Sequence, residues 1–327
     1  MAVRVLAGDV GGTKSDLALY AVDGPHRLSL LRAATFSSRA HPDLQSVVRA
    51  FLAGDDGPIA AAAFGLPGPV VDGAVATTNL PWRVAAADLG ALLGVPVALM
   101  NDLQATAFGC LFQPPEAFET LAAGRPRAGN AAVIAAGTGL GQAFLFWDGT
   151  RHHAAPTEGG HADFAPHDER EWRLLRFLQR DRAHVSWEHV VSGPGLHDIF
   201  RFLTEAEGRP IDDPLRAALA AGDPSAAIGA AAVAGTSATA AEAVELFVSL
   251  YGAQAGNLAL TVMATGGVFV GGGIVVKLLT LVAAGGFMRA FTAKGRFANF
   301  LSEVPVRVVL DPATARVGCA HAAADLL

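Results

Sequence analysis

The chain has 327 residues and a mass of 33.5 kDa, which is enough for two domains of ordinary size. It is 52% hydrophobic and 17% charged and contains 37 glycines, a composition typical of a globular α/β protein with tight loops. A net charge of −6 and the lack of any Lys/Arg-rich run exclude a basic surface, so we expect no nucleic-acid partner. The only cysteines, Cys110 and Cys319, are too few for a zinc cluster or a disulfide framework, and we expect two buried thiols in a reducing compartment.

Two segments bear on membrane association. The N-terminus reaches Asp9 after only a few apolar residues, so it lacks the hydrophobic region of a signal peptide. Residues 246–276 contain no charge and have the length of a membrane span. Gln254, Asn257 and the glycines at 266–267 and 271–273 interrupt this segment, so we predict a buried helix, a short strand and a glycine turn. We therefore expect a cytoplasmic protein without a membrane partner.

The first third of the chain is predicted to contain short strands, glycine turns and two helices. A strand at 3–7, a glycine turn at 8–14 and a second strand at 15–20 form its beginning. The next elements are an amphipathic helix at 42–53, a strand at 59–64, a rigid loop at 65–69 and a helix at 85–93. Asn79 lies in a turn-rich segment, where it is either structural or in contact with a ligand.

The central stretch, residues 95–109, places Asn101 and Asp102 at a strand-to-helix corner. Residues 95–100 are apolar and follow Gly94, which predicts a buried strand, whereas residues 103–110 favour a helix. In open α/β sheets the carboxyl ends of strands face the ligand crevice, so a carboxylate at this corner can reach a substrate. The alternative is that Asp102 only caps the helix.

The pattern of strand, glycine turn and strand occurs a second time after a proline-broken connection at 113–130. Strands at 133–136 and 142–147 enclose the turn 137–141, which predicts two similar halves that face a shared cleft. The remaining predicted elements are a charged helix at 168–182, Ala-rich helices at 214–234 and 240–260, a glycine-rich strand and turn at 266–274, a helix from 275 and a strand at 304–310.

The two glycine turns favour phosphate binding. Neither GDVGGTK at 8–14 nor GTGLG at 137–141 matches the Walker or the GxGxxG spacing. Both nevertheless offer consecutive backbone N–H groups and a threonine hydroxyl, which are the components of an anion-binding nest. Asp9 adds a carboxylate suited to Mg²⁺, held through water. Two such turns, with Asp102 between them in sequence, predict phosphoryl transfer.

Six segments resemble the bacterial glucokinase family of the actin/hexokinase/Hsp70 superfold. They are GDVGGTK at 8–14, MND at 100–102, AAGTGLGQA at 135–143, EGGH at 158–161, WEHVVSGPGL at 187–196 and GGVFVGGGI at 266–274, in the family's order. The resemblance implies an α/β fold of two actin-like (ribonuclease H-like) domains with a substrate cleft between them. It places a small domain at 1–110 plus about 310–327 and a large domain at 111–309. It also implies ATP, Mg²⁺, glucose as the acceptor and a homodimer.

The resemblance also assigns roles to individual residues. Asp102 is the catalytic base, and Asp9 holds Mg²⁺. The sugar-binding positions are Asn101, Asp102, Glu158, His161 and Glu188. The positions that bind ATP or its phosphates are Gly8, Asp9, Gly11, Gly12 and Thr13 in the first turn, Gly137, Thr138 and Gly139 in the second, and Gly271, Gly272 and Gly273 in the adenosine loop.

Several residues have a second interpretation. Without the family pattern, Glu158 reads as a helix-start acid and Glu188 as a solvated helix residue. His152, His153, His161 and His167 lie close in sequence, but no HExxH pattern or cysteine accompanies them, so a hydrogen-bonding His161 is favoured over a zinc ligand.

One position departs from the family pattern, and one segment also fits a wider group of proteins. Lys14 stands where many bacterial glucokinases carry Asn, which leaves details of the phosphate loop open. The segment 158–161 also fits the ExGH pattern of the broader repressor, open-reading-frame and kinase group. That group's cysteine-rich zinc motif is missing, so the resemblance is to the zinc-free branch. The first phosphate loop begins almost at once and leaves no room for an N-terminal helix-turn-helix, which disfavours a DNA-binding repressor.

We therefore predict an ATP-dependent kinase that phosphorylates glucose at its 6-hydroxyl. A kinase of another hexose such as mannose, or of an N-acetylated amino sugar, is the alternative within enzymes. A catalytically weak sugar sensor is an alternative of a different class, although a pure binder needs neither Asp102 nor two phosphate loops. A nicotinamide-dependent dehydrogenase lacks its dinucleotide fingerprint. The sequence leaves the donor open among ATP, ADP and polyphosphate.

Overall fold

The structure is a computed structural model that describes residues 3–24, 27–55, 57–77 and 80–327, so Asn79 lies outside the described residues. The strands are β1 Val3–Val10, β2 Lys14–Gly24, β3 Arg27–Ser37, β4 Ala61–Leu66, β5 Ala74–Ala76, β6 Arg83–Ala85, β7 Val97–Asn101, β8 Phe118–Ala122, β9 Ala131–Ala136, β10 Leu140–Trp147, β11 His152–Thr157, β12 Gly267–Gly271 and β13 Val306–Val309. The helices are α1 Leu44–Leu52, α2 Ala86–Leu93, α3 Asp102–Cys110, α4 Glu169–Leu178, α5 Gly193–Arg201, α6 Asp213–Ala221, α7 Pro224–Val233, α8 Ala238–Val262, α9 Gly273–Lys277, α10 Leu279–Ala283, α11 Gly286–Thr292, α12 Ala298–Ser302 and α13 Thr314–Ala324.

The two main sheets share one topology. The first has the order β3-β2-β1-β4-β7, in which β1 to β3 are antiparallel neighbours and β4 and β7 continue parallel to β1. The second has the order β11-β10-β9-β12-β13-β8, in which β9 to β11 are antiparallel and β12 and β13 continue parallel to β9. This repeat confirms the prediction of two similar halves, each with a glycine turn between its first two strands.

Helix α3 lies between the two sheets. Ala105 packs in an apolar cluster with β1, β4 and the C-terminal helix α13. Ala107 and Cys110 instead pack on β9 and β10 of the second sheet. Glycines let α3 and α13 cross closely, since a Cβ at Gly109 would lie 1.9 Å from the carbonyl oxygen of Thr314. The C-terminal helix thus returns to the first sheet, and the strand-to-helix corner at Asp102 is fixed from both sides.

The structure corrects several predicted elements. Strand β1 continues to Val10, so Gly8 and Asp9 lie in the strand and the first turn contains only residues 11–13. The second turn is likewise limited to 137–139, because β10 already begins at Leu140. The Ala-rich segment 214–234 forms two helices, α6 and α7, separated by a break at 222–223.

Five strands were not predicted. β5 and β6 have only three residues each, whereas β3, β8 and β11 lie at a sheet edge and lack a buried face. Most residues of β3 are exposed, so its sequence shows no alternation between apolar and polar residues. Strand β8 is a short edge strand within the segment 113–130, which we had interpreted as a connection. Strand β11 contains Pro156, a residue that is tolerated at a sheet edge.

Both thiols are buried, as expected from their apolar surroundings. In the part of the chain that the structure describes, no individual helix has both the length and the apolar composition needed to cross a bilayer. Only α7 and α8 taken together pass that test, and they are bent by 103° at their junction.

Candidate active site

The corner between β7 and α3 presents Asp102 at the first position of the helix. The N-cap is Asn101, whose Oδ1 accepts hydrogen bonds from the backbone N–H of Leu103 at 2.9 Å and of Gln104 at 3.3 Å. The side chain of Gln104 accepts in return from the N–H of Asn101, which completes a capping box. The helix therefore has its cap one residue before Asp102. Asn101 Nδ2 donates to the Gly68 carbonyl at 3.2 Å, so its predicted sugar contact competes with a structural role.

The pKa of Asp102 is raised to about 6, chiefly by burial and to a smaller extent by the nearby charge of Glu158. A hydrogen bond from the backbone N–H of Leu103 at 2.8 Å opposes this shift without cancelling it. Asp102 is thus a desolvated carboxylate that directly follows β7, the edge strand of the first sheet, and it lies near Glu158, which follows β11 of the second sheet.

Asp9 is the penultimate residue of β1, the central strand of the same sheet. Burial raises the pKa of Asp9 to about 6, with further contributions from the charges of Asp102 and Asp16. Lys14 and Arg316 act in the opposite direction. Asp102 is thus close enough to Asp9 for its charge to raise the pKa of Asp9. Buried acids whose charges repel each other are the donor set expected of a site that takes a cation.

The first turn is held from outside by Ser38. The N–H of Ser38 donates to the Thr13 carbonyl at 3.0 Å, and its hydroxyl donates to the Gly11 carbonyl at 2.7 Å. The N–H of Gly11 closes the turn on the Lys14 carbonyl at 2.8 Å. The turn 11–13 is therefore shaped before any ligand arrives. Sequence reasoning missed Ser38, which is distant in the chain and carries no motif.

Gly8 has a packing role that its sequence context does not reveal. It lies within β1, and a Cβ at this position would lie 2.6 Å from the ring of Phe64. Its contribution to phosphate binding stays a prediction.

The second turn packs directly against Glu188. The N–H of Gly137 donates to the Gly139 carbonyl at 2.8 Å, which closes the turn. Glu188 Oε2 accepts from the N–H of Leu140 at 2.9 Å, and a Cβ at Gly139 would lie 2.4 Å from that same oxygen. Glycine at 139 is therefore required for the close approach of a carboxylate.

The predicted sugar-binding residues Glu158, His161 and Glu188 form one cluster. His161 Nε2 lies 3.9 Å from Glu158 Oε2, and His161 Nδ1 lies 3.9 Å from Glu188 Oε1. Glu158 occupies the position before a short 3-10 helix, Gly159–His161, but its side chain makes no capping hydrogen bond. The side chains of Glu158 and His161 are about 60% exposed, so they are open to a ligand.

The other histidines do not join this cluster. His152 bonds the Gly129 carbonyl and His153 bonds Asp148. His167 lies with Asp168 and Glu171, whose ligand atoms are within 4.8 Å of one another. These three residues form the N-terminal cap of α4, because the N–H of Glu171 donates to Asp168 and the N–H of His167 donates to Glu171. The group therefore has a structural explanation.

The adenosine loop begins at the end of β12. Gly272 has a φ of +93°, and a Cβ there would lie 2.0 Å from the Ala136 carbonyl, so only glycine fits. The buried hydroxyl of Tyr251 accepts from the N–H of Ala136 at 3.1 Å and lies 2.9 Å from the Gly271 carbonyl oxygen. Tyr251 thus links the last residues of β9 and β12, from which the second turn and the adenosine loop begin.

A pocket of about 790 Å³ opens beside the second turn, a volume within the usual range of small-molecule sites. It is mainly apolar and is lined by Gly137, Thr138, Gly193, Pro194, Leu196, His197, Asp223, Pro224, Ser225, Ala226, Gly229, Ala230, Val233, Ala234, Ile274, Lys277 and Leu278. Gly137 and Thr138, which the sequence predicts to bind ATP, line this pocket, but sequence reasoning overlooked the wall formed by α7. The sequence does indicate this wall, because Ala226, Ala230 and Ala234 are small residues one helical turn apart that leave room for a ligand.

Two similar α/β halves, two glycine turns and a buried acid between them define the class of two-domain sugar kinases with the actin-like fold. Comparisons with known proteins agree. The family model described as glucokinase matches residues 6–326. The glucokinase of Trichormus variabilis is 38% identical, and the alignment covers 98% of this chain and 99% of that protein.

Solved structures support the same assignment. A glucokinase from an Antarctic psychrotroph superposes with a TM-score of 0.87 at 27% identity, covering 99% of this chain and all of that chain. A ROK-family glucokinase from Streptomyces griseus, 23% identical with a TM-score of 0.66 over 98% of this chain and 99% of that one, has the same fold. The chain belongs to the glucokinase family, and it is an ATP-dependent hexose kinase.

Proposed function

We propose that this enzyme transfers the γ-phosphoryl group of ATP to the 6-hydroxyl of glucose, with Asp102 as the base. The observation that carries the proposal is the position of Asp102. It is a buried carboxylate at a strand-to-helix corner, electrostatically coupled to Asp9 beside the first turn and to Glu158 in the sugar cluster. An acceptor hydroxyl held by that cluster would thus lie near a base and near both phosphate turns.

The sugar cluster has the chemistry that a hexose requires. Sugar hydroxyls both donate and accept hydrogen bonds, and the cluster supplies acceptors and a donor, since Glu158 and Glu188 each lie 3.9 Å from His161. Glucose as the acceptor is further supported by the names of the curated relatives and by the Streptomyces griseus structure, which is a complex with glucose and AMPPNP.

Asp102 orients the acceptor hydroxyl and accepts its proton as the new bond forms. A carboxylate is too weak a base to deprotonate an alcohol beforehand, but a loose phosphoryl-transfer transition state does not require that. Its pKa of about 6 makes Asp102 a stronger base than an exposed aspartate while leaving it ionised at neutral pH. The N–H groups of the turns 11–13 and 137–139 are available to stabilise charge on the transferred group.

The acidic pair fits the Mg²⁺ that accompanies ATP. This ion prefers oxygen donors, and a cation bound at Asp9 would offset the repulsion that the charge of Asp102 exerts on this carboxylate. Asp9 would hold the ion, through water. When bound, Mg²⁺ neutralises phosphate charge and orients the phosphates.

The apolar pocket beside the second turn would take the adenosine of ATP. Its lining includes Thr138 of the second turn together with Ile274 and Lys277, which follow the adenosine loop. A purine and ribose bound there would lie along α7, with the phosphates directed toward the phosphate turns. ATP must bind in this orientation if it is the donor.

A sugar panel tests the proposal. Purified enzyme with Mg²⁺ and ATP is assayed for phosphate transfer to glucose, mannose, fructose and N-acetylglucosamine, with ADP and polyphosphate as alternative donors. We expect glucose with ATP to give the highest kcat/KM. A higher value for another sugar would contradict the acceptor assignment. Glucose binding without turnover would instead support the sugar-sensor alternative.

The domain boundaries, a homodimer and a cytoplasmic location stay part of this proposal. The return of α13 onto the first sheet supports a small domain that includes the C-terminus. Light scattering of the purified enzyme tests the dimer.

A further inference from the structure

The carboxylate of Glu188 faces both the second phosphate turn and the sugar cluster. Its Oε2 accepts the backbone N–H of Leu140, at the end of the second phosphate turn, at 2.9 Å. Its Oε1 faces the sugar cluster, 3.9 Å from His161 Nδ1. The side chain is 30% exposed, so one oxygen is committed to the turn while the other is available to a ligand. Glu158, the other acid of the cluster, makes no bond to the turn.

The backbone around Glu188 is tied to the same turn by a second route. The hydroxyl of Ser192 donates to the Glu188 carbonyl at 2.6 Å and caps α5 by accepting from the N–H of Gly195 at 3.0 Å. The neighbouring N–H of Gly193 donates to the Gly137 carbonyl at 2.8 Å. The segment 188–193 and the turn 137–140 thus form a closed ring of hydrogen bonds.

The segment continues into the nucleotide pocket. Gly193, Pro194, Leu196 and His197, all on the first two turns of α5, line that pocket. A movement of Glu188 would therefore be transmitted to the turn that faces the phosphates and to the wall that faces the nucleoside.

We propose that Glu188 is a positioning residue that couples the sugar site to the second phosphate turn, so that glucose and nucleotide each bind more tightly when the other is present. This inference rests on the proposed function, since it takes glucose and ATP as the two ligands.

The sign of the coupling follows from the two oxygens. A sugar hydroxyl that donates to Oε1 fixes the rotamer of Glu188 and hence holds Oε2 on Leu140, so nucleotide binding loses less entropy in ordering the turn. The same hydroxyl disperses negative charge that would otherwise repel the phosphates. Both effects favour the ternary complex. By linkage, nucleotide must tighten glucose binding by the same factor.

The test is a titration of the two ligands alone and together. Calorimetry measures the Kd of glucose with and without saturating AMPPNP and Mg²⁺, and the Kd of AMPPNP with and without saturating glucose. For the wild type we expect each ligand to lower the other's Kd by the same factor, on the order of 5-fold or more. Glu188→Ala should weaken glucose binding and reduce this factor to about 1.

Two further variants separate coupling from affinity. Glu158→Gln removes the charge of the matched acid without touching the turn, so it should weaken glucose binding and leave the coupling factor unchanged. Glu188→Gln keeps an oxygen for the Leu140 N–H, so it should retain more of the factor than Glu188→Ala and serves as the better-folded test.

Equal factors in the wild type and Glu188→Ala would overturn the proposal, as would independent binding in a wild type that still phosphorylates glucose. The second result leaves the proposed function intact. A wild type that binds no glucose would refute both.

Discussion

Two partly buried carboxylates, Asp9 and Asp102, set the electrostatics of the cleft. Asp9 lies near the end of the central strand β1 and Asp102 directly follows the edge strand β7, and each has its pKa raised to about 6, chiefly by desolvation. The capping of α3 by Asn101 is what leaves Asp102 available for chemistry. The same corner therefore provides a stable helix start and a desolvated carboxylate, the proposed base.

The raised pKa of Asp102 predicts an acid limb in the pH profile. A base must be deprotonated, so kcat/KM for glucose at saturating ATP should be constant above pH 7 and fall about tenfold per pH unit below about 6. An unperturbed aspartate, by comparison, would lose activity only near pH 4. Steady-state kinetics from pH 5 to 8 measures this limb.

Glu158→Gln provides an internal control. Since the charge of Glu158 raises the pKa of Asp102, its removal should move the acid limb to lower pH in addition to weakening sugar binding. A profile that is flat down to pH 5 in the wild type, or an unshifted limb in the variant, would argue against Asp102 as the titrating base.

At the scale of elements, Tyr251 of α8 links β9 and β12, the two strands that lead into the proposed nucleotide site. Its hydroxyl contacts backbone groups of Ala136 and Gly271 inside the core, where an unpaired polar group is costly. The strand ends are thus held at a fixed separation, which positions Gly137 and Gly272 relative to each other.

Tyr251→Phe should loosen this link while preserving the ring. We expect the free energy of unfolding to fall by about 1–2 kcal/mol, because a buried N–H loses its acceptor. We also expect the KM for ATP to rise several-fold with little change in the KM for glucose. Urea denaturation and steady-state kinetics measure the two effects.

Tyr20→Phe is the matched control, since Tyr20 is a buried tyrosine of the first sheet, away from the nucleotide pocket. It should leave the KM for ATP unchanged. An unchanged KM for ATP in Tyr251→Phe would show that Tyr251 stabilises the fold but does not position the nucleotide site.

The elements that sequence reasoning found were those with a local signal. An apolar strand followed by helix formers predicted the Asp102 corner, and glycine clusters predicted both turns. The hydroxyl of Tyr251 gave no signal, because it acts on Ala136 from a chain distance of 115 residues and within a mostly apolar helix. Ser38 reaches Gly11 from 27 residues away, and the edge strand β3 has no buried face to mark it.

At the scale of the whole molecule, the cleft results from repetition of one topology around α3. Leu103 packs so closely on the second sheet that a Cβ at Gly141 would lie 2.4 Å from its side chain. Gln104 Nε2 donates to the Ala154 carbonyl of β11 at 2.8 Å. Asp102, the proposed base, thus follows a strand of the first sheet, and the next two residues fix it against the second sheet.

The most direct test of this account is the Asp102→Asn variant, measured for turnover, glucose affinity and thermal stability together. We predict that kcat falls by roughly 10²- to 10⁴-fold, the usual contribution of a positioned base, while the Kd of glucose changes little. The folded-state pKa of Asp102 lies above its unfolded value, so ionisation of this carboxylate costs stability at neutral pH. The melting temperature of the variant at pH 7.5 should therefore equal or exceed that of the wild type. A variant that retains wild-type turnover, or that loses turnover only because it unfolds, would contradict the assignment of Asp102 as the base.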